Sequence, residues 1–323
     1  MVAKRESWPI DGSFTISRGT KTSAEVVTVV IEEDGLRGMG ECVPYARYGE
    51  TIDSVLQQID LQKSFLVQGA DRQQLQQVLP AGAARNAIDC ALWDLEAKQS
   101  GQRVWQLADM AAPEPVVTAY TLSLDTPDNM HAAACKHSSR PLLKLKLAGE
   151  GDVERVASVR NGAPDSKIIV DANEGWSLAD YEVMVPKLLD LGVSLIEQPL
   201  PANEDHALAC VERPIKICAD ESCHDVSTLA ALAGCYDMIN IKLDKTGGLT
   251  EAIALQQAAL DQGFEIMVGC MVATSLAMAP ATLVTGHAAI VDLDGPLLLG
   301  RDRVPALDFS NYSVAPPPAQ LWG

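Results

Sequence analysis

Five charged residues recur along this chain at nearly constant spacing, each at the end of a short apolar run. They are Lys146 in LLKLKL, Asp171 in IIVDANEG, Glu197 in LIEQPLP, Asp220 in ICADESC and Lys242 in NIKLDKTGG. The intervals between them are 25, 26, 23 and 22 residues, each the length of one strand plus a helical crossover. Solvated loop charges coincide with a strand end once or twice by chance. Five in register require a repeating fold that sets them at one depth. The β-rich runs number eight, at 116–124, 141–147, 166–171, 193–198, 215–220, 237–243, 264–270 and 288–293. Most segments between them carry helical periodicity: Val153, Val156 and Ala157 share a side, as do Ala252, Leu255 and Ala259 ahead of Gly263. Strands alternating with helices predict parallel pairing through right-handed crossovers, and eight such units close into a barrel whose chemistry sits at the strand C-termini. No glycine-rich dinucleotide fingerprint supports an open doubly wound sheet.

The first 112 residues read differently. AEVVTVVIEED suggests antiparallel strands, and TIDSVLQQIDL and ARNAIDCALWDLEAKQSG suggest helices. The expectation is an α/β chain with an α+β capping domain at 1–112 and a (β/α)7β TIM-type barrel at 113–300. A Pro-rich segment at 301–323 would return to the capping domain. AAPEP at 111–115 marks the first boundary. The net charge of −18 excludes a nucleic-acid or anionic-lipid partner. Ile266–Val291 carries no Asp, Glu, Lys or Arg, but Gly269, Pro280, Gly286 and His287 break it into pieces, so it reads as protein core and no membrane span is expected. The N-terminus lacks the apolar core of a signal peptide, and the eight cysteines form no CxxC pair. Reduced thiols and a cytoplasmic location are expected. A homo-oligomer is compatible with these features.

The charged strand ends make chemical sense together. Asp171, Glu197 and Asp220 fall on adjacent strands, where three anions repel unless a cation sits among them, and an all-oxygen set suits Mg²⁺. Lys146 and Lys242 stand on either side. Beside a divalent cation and another ammonium, their pKa values are expected to fall toward neutrality, which suits general bases. Lys144 and Lys146 are two apart and share a face. An edge strand with lysines in water is the plain explanation of LLKLKL. The register of the other strand ends points both into the barrel mouth instead, with Lys146 as the base and Lys144 one layer deeper, within reach of a substrate carboxylate. Asn240 shares a face with Lys242, whereas Lys245 falls on the other parity, as a turn or supporting residue.

These motifs resemble the enolase superfamily, in its muconate-lactonising-enzyme-like subgroup, over nearly the whole chain. Within it, GECVPYARYGE, AGAARNAIDCALWDL, NIKLDKTGGLTEA, GCMVATS and DLDGP are most similar to the dipeptide epimerases, especially the L-Ala-D/L-Glu type. The resemblance implies Mg²⁺ on Asp171, Glu197 and Asp220, with Lys146 and Lys242 as the acid/base pair. It also implies that Asp292 and Asp294 bind the ammonium of a small dipeptide. An ordinary Asp-Gly-Pro turn explains Asp294 but not Asp292 on the same face. Arg18 and Lys21, in SRGTKTSAE, are the cations available for a distal carboxylate; Lys21 stands where such epimerases tend to carry Arg. The implied reaction is inversion at the α-carbon of the C-terminal residue by two-base proton transfer through an enediolate, in murein peptide metabolism. Succinylbenzoate synthase, N-succinylamino acid racemase and muconate cycloisomerase chemistry use the same lysines and metal, but their substrates give Asp292 and Asp294 no cation to bind.

Overall fold

The computed structural model describes residues 1–323. An antiparallel sheet opens the chain: β1 (Val2–Ile16), β2 (Gly19–Glu33) and β3 (Leu36–Cys42). The middle of β2, from Ala24 to Ile31, is buried on both faces, which is why AEVVTVVI reads as an almost unbroken apolar run. Val27, Val29 and Ile31 join the core of the capping module, while Val26 joins the core of the barrel. The long helix Ala83–Ser100 lies on β3. Its approach needs the glycines of LRGMGEC: a Cβ on Gly38 would lie 2.0 Å from the Ala91 carbonyl oxygen, and one on Gly40 2.1 Å from that of Ala87. Two shorter helices, Ile52–Leu61 and Arg72–Val78, start at capping boxes built by Thr51 and Asp71.

The barrel is an eight-stranded parallel sheet. Its strands are β5 (Tyr120–Leu122), β6 (Leu142–Lys146), β7 (Lys167–Asp171), β8 (Val193–Glu197), β9 (Lys216–Ala219), β10 (Met238–Ile241), β11 (Glu265–Gly269) and β12 (Ala288–Asp292). The sheet curls until Ala119 N–H donates to the Val291 carbonyl, 2.8 Å, next to the first strand. The run at 116–124 divides into two: β4 (Val116–Val117) pairs instead with β13 (Ser313–Val314), and only the part from Tyr120 enters the barrel. The crossover after β8 is a 3-10 turn, Asp205–Cys210, and the one after β9 ends in a four-residue helix, Leu229–Leu232.

An apolar plug fills the barrel floor with one side chain from each strand or its leading residue: Ala119, Leu142, Ile169, Leu195, Cys218, Met238, Met267 and Ile290. Inward side chains recur every second residue. The next inward positions above this plug are therefore Thr121, Lys144, Asp171, Glu197, Asp220, Asn240, Gly269 and Asp292. The apolar layer turns polar in one step around most of the ring, and Asp171, Glu197 and Asp220 report that step. Lys146 and Lys242 stand one layer higher, two residues beyond Lys144 and Asn240, so the five recurring charges occupy two adjacent layers and not one depth.

The two modules are joined by polar contacts. Asp244 accepts from Val43 N–H at 2.9 Å and from Asn86 Nδ2 at 2.8 Å. Arg85 donates to the carbonyls of Thr246 and Gly247, and Asp89 accepts from Thr250. The glycine pair 247–248 lets the helix come this close, since a Cβ on either would lie 2.5 Å from Arg85 or Asp89. At the C-terminus, the Trp322 indole donates to the Cys90 carbonyl and Gly323 N–H to Asp94.

Candidate active site

Strand order sets the layout. In a closed ring of eight, β6 and β10 are diametrically opposite, as are β8 and β12. Lys146 ends β6 and Lys242 directly follows β10. Glu197 ends β8, flanked by Asp171 of β7 and by Asp220 after β9, and Asp292 ends β12. Four sides of one mouth thus carry a lysine, a carboxylate triad, the other lysine and an aspartate pair. Above them is a cavity of about 460 Å³, with Lys146, Asp220, Lys242, Asp292 and Asp294 in its floor and wall. Its roof comes from the capping module and includes Phe14, Arg18, Lys21, Tyr45 and Tyr48.

All three triad residues are buried, and one carboxylate oxygen from each lies within 4.8 Å of the others. Lys146 Nζ donates to Asp171 Oδ2 and Lys242 Nζ to Asp220 Oδ2, both at 2.6 Å. Lys144 does not line the cavity. It lies in the layer beneath, 1% exposed, with Nζ 2.7 Å from Asp292, 2.6 Å from Glu197 and 3.2 Å from Asp171. Glu197 Oε2 accepts no hydrogen bond in acceptable geometry despite that ion pair. Buried and all-oxygen, with Glu197 Oε2 free of any hydrogen bond, the triad fits a hard divalent cation.

The electrostatics differ from the sequence expectation in one respect. Burial disfavours the Lys242 ammonium, but Asp220 and Glu197 outweigh it and hold the group well above the ordinary lysine range. Asp220 Oδ2 lies 2.6 Å and Glu197 Oε1 3.9 Å from its Nζ, so among the protein's own groups attraction wins. A cation on the triad would compete for those same oxygens. Burial and the Asp171 charge lift Glu197 to about 7. Burial likewise opposes ionisation of Asp171, yet Lys146 and Lys144 bring it down to about 2. Asp294 is lifted to about 7 by burial and by Asp292, although Thr121 N–H donates to it at 2.6 Å. Asp292 Oδ1 is buried with no hydrogen-bond partner. A cation at this pair would relieve both strains.

Arg18 reaches the cavity from the β1–β2 turn and Lys21 from the start of β2. Arg18 is engaged by Glu221, Tyr45 and Asn173. Lys21 makes no ion pair; its Nζ lies 5.5 Å from the Tyr45 ring centre. Burial and neighbouring Arg18 lower its pKa.

Several supporting residues hold the triad in place, and only some of them were legible in the sequence. Asn240 Nδ2 holds Glu197 Oε1 at 2.8 Å, and Gly269 leaves room for it, since a Cβ there would lie 2.6 Å from Asn240 Oδ1. Gln198 Oε1 accepts the backbone N–H groups of Asp220 and Ser222. Lys245 Nζ binds Asp220 Oδ1 at 2.7 Å and the Asn240 carbonyl at 2.9 Å, which makes it a supporting group. Phe14 places its ring 5.8 Å from Lys146 Nζ. The sequence pointed to Lys245 as a turn or supporting residue and to Asn240 through the face it shares with Lys242, whereas Gln198 and Phe14 carried no such signal. Asn173, Glu174 and Gln198, just past the ends of β7 and β8, have φ of 47°, 65° and 37°, a left-handed backbone that non-glycine residues keep only where surroundings enforce it.

A (β/α)7β barrel with three acids between opposed lysines, roofed by an α+β module, defines an enolase-type proton-transfer scaffold. Residues 1–108 match the mandelate racemase/muconate lactonizing enzyme N-terminal domain, and residues 130–317 match the enolase C-terminal domain-like family. The chain belongs to this superfamily. It is 48% identical to the L-Ala-D/L-Glu epimerase of Escherichia coli K12 over 95% of this chain and 96% of that one. It is 46% identical to an N-acetyl-D-glutamate racemase of a Pseudoalteromonas species over 92% and 95%. Among solved structures, it superposes with a TM-score of 0.98 and 52% identity, over 100% and 99% of the two chains, on an enolase family member from Agrobacterium tumefaciens with homology to dipeptide epimerases, which holds sodium and L-Ala-L-Glu. The dipeptide epimerase of Enterococcus faecalis, complexed with Mg and L-Leu-L-Tyr, superposes at 0.89 with 29% identity, over 98% and 96% of the chains.

Proposed function

We propose that this chain is a Mg²⁺-dependent dipeptide epimerase of the L-Ala-D/L-Glu type. It inverts the α-carbon of the C-terminal residue, and we place it in the cytoplasm, acting on murein-derived peptides. The observation that carries the reading is the cross of opposed functions around the barrel mouth. The triad lies across from Asp292 and Asp294, and Lys146 lies across from Lys242. A dipeptide stretched from triad to aspartate pair puts its C-terminal carboxylate at one end, its ammonium at the other and its α-carbon between two amines.

Asp171, Glu197 and Asp220 would hold the Mg²⁺, which when bound supplies positive charge to the substrate carboxylate and acidifies the neighbouring carbon. One lysine takes the α-proton on its face, and the other returns a proton on the opposite face. Their places at the ends of opposite strands, beside Asp171 and Asp220, set both amines at the mouth before substrate arrives. Lys144, under the floor, balances the anionic charge of Glu197 and Asp292. Lys21, with no carboxylate partner, is the cation that reads a glutamate side chain.

The N-acetyl-D-glutamate racemase among the relatives motivates a second reading, racemisation of N-acylated glutamate. An N-acyl amide carries no charge, and it would leave Asp292 Oδ1 buried without a cation. A panel of L,L-dipeptides, with N-acetylglutamate and N-acetylated L-Ala-L-Glu beside them, incubated in D₂O and followed by mass spectrometry, tests the choice. Deuterium entering the C-terminal residue of free dipeptides, and not the acetylated compounds, is the expected result. Preference for the acetylated compounds selects the racemase reading.

A further inference from the structure

Arg18 is the most heavily bonded side chain on the cavity roof. Nη2 donates to Glu221 Oε1 at 2.7 Å and to the Tyr45 hydroxyl at 3.0 Å. Nη1 donates to the Asn173 carbonyl at 2.8 Å and lies 3.3 Å from Glu174 Oε2. Ser17 Oγ, beside it in the same turn, donates to that Asn173 carbonyl at 3.1 Å. Glu221 is 1% exposed in its side chain, and its only other donor is Asn173 Nδ2, at 3.3 Å. Its second oxygen, Oε2, is buried with no hydrogen-bond partner at all. An ionised carboxylate in that position is costly without its countercharge, and Arg18 is the only cation paired with it.

The anchor points are informative. Glu221 follows Asp220, and Asn173 stands two residues after Asp171, whose Oδ1 accepts Asn173 N–H at 2.9 Å. Both anchors thus lie within two residues of a triad residue, one past the end of β7 and one past the end of β9. The left-handed backbone at Asn173 and Glu174 turns the Asn173 carbonyl toward Ser17 and Arg18. Such a conformation costs about 1–3 kcal/mol per residue and persists only where contacts enforce it.

Resting on the epimerase reading, we infer that Arg18 and Glu221 form a positioning clasp. They fasten the β1–β2 turn of the capping module onto the strand ends that carry the triad. Arg18 thus does not receive the substrate's side-chain carboxylate; it fixes the roof from which Lys21 does so. The clasp acts on every dipeptide alike, whereas a carboxylate receptor acts only on acidic ones.

The test compares Arg18→Met, Glu221→Gln, their double variant and Arg18→Lys, all first shown to melt like the parent. Hydrogen exchange of the peptide covering 15–24, read by mass spectrometry without substrate, should rise in both single variants and no further in the double. In Arg18→Lys, which keeps the charge but not the fork, it should fall back toward the parent. With L-Ala-D-Glu and L-Ala-L-Gln as substrates, kcat/KM should drop by the same factor, roughly ten- to a hundredfold, on both. A drop confined to the glutamate dipeptide, with unchanged exchange at 15–24, overturns the inference and makes Arg18 a receptor. Exchange that rises additively in the double variant also overturns it, because partners in one bond cannot be lost twice. If no dipeptide is turned over by the parent, the functional reading fails while the exchange data still decide the clasp.

Discussion

Lys146 and Lys242 have nearly the same local surroundings, and only their position around the ring distinguishes their roles. Each ends or follows an apolar strand, each is buried, and each donates at 2.6 Å to an aspartate of the triad. Being on opposite strands, they meet opposite faces of a carbon between them. Lys146→Ala and Lys242→Ala should therefore each abolish epimerisation, while each still exchanges the α-proton of one epimer with D₂O, the two variants choosing opposite epimers. Exchange of the same epimer by both, seen by proton NMR, would refute the two-base arrangement. The Asp pair is the second residue-level case. If the pair receives the ammonium as proposed, Asp292→Asn or Asp294→Asn should cost about 1.5–3 kcal/mol in transition-state binding, or roughly ten- to a hundredfold in kcat/KM for free dipeptides. Equal loss on N-acetylated substrates would count against an ammonium site. Lys146, Asp171, Glu197, Asp220 and Lys242 were legible in the sequence because each interrupts an apolar strand at the repeat interval. Asn240, Gln198 and Glu221 were not. Their roles depend on which neighbouring strand they face, and single-chain spacing does not encode pairing.

Among the elements, the helix Ala83–Ser100 explains why certain motifs stand out. AARNAIDCALWDL and KLDKTGGLTEA contain no residue of the triad, and only Lys242 of the lysine pair. Most of their remaining polar positions are spent on joining the two modules, through Arg85, Asn86, Asp89, Asp244 and Thr250. A motif that signals the family can thus report an interface. On the opposite side of the same helix, Gly40→Ala would force its new methyl within 2.1 Å of the Ala87 carbonyl. The helix or the strand must shift, which should cost at least about 1–3 kcal/mol, seen as a lowered denaturation midpoint; an unchanged midpoint would mean that the contact is soft. The joint is also pH-sensitive. Burial lifts the Asp244 carboxyl to about 7 from an ordinary 3.8. Between those values the folded chain keeps a proton that the unfolded chain has released. Its contribution to stability is fully present below about pH 4 and is lost as the pH rises through about 7. Asp244→Asn keeps the oxygen that accepts both bonds and removes the ionisation. Relative to the parent, it should gain about 2–4 kcal/mol between roughly pH 5 and pH 8, and parallel pH dependences in urea unfolding would exclude this source.

At the scale of the whole molecule, the cavity exists only because the two modules hold a fixed relation, through a core that Val26, Val43, Cys90 and Trp93 extend from one into the other, and Arg303 is where the polar part of that relation is most concentrated. Its guanidinium donates to Glu41 on β3 at 2.5 and 2.9 Å, to Glu6 on β1 at 2.5 Å and to Thr28 on β2 at 2.9 Å. It also donates to Thr274, in the loop after β11, at 2.7 Å. One side chain from the C-terminal segment thus touches all three capping strands and the barrel. Glu41 is the partner at stake: it is 1% exposed, and burial lifts its pKa despite Arg303 and the two bonds from Thr274. Replacing Arg303 with Met keeps much of the volume and strands that carboxylate, which should cost roughly 3–5 kcal/mol of folding free energy. Adding Glu41→Gln should recover a large part of the loss, because the amide retains an acceptor for Thr274 and carries no charge to bury. The loss should also reach the cavity, whose roof residues Phe14, Lys21 and Tyr45 all come from the capping module. In Arg303→Met, KM for the dipeptide should rise more than kcat falls, since the lysines and the triad belong to the barrel. Urea unfolding of the single and double variants, followed by steady-state kinetics on both, checks the two halves of the argument. An Arg303→Met variant as stable as the parent, or one that Glu41→Gln fails to rescue, would show that the modules are held elsewhere.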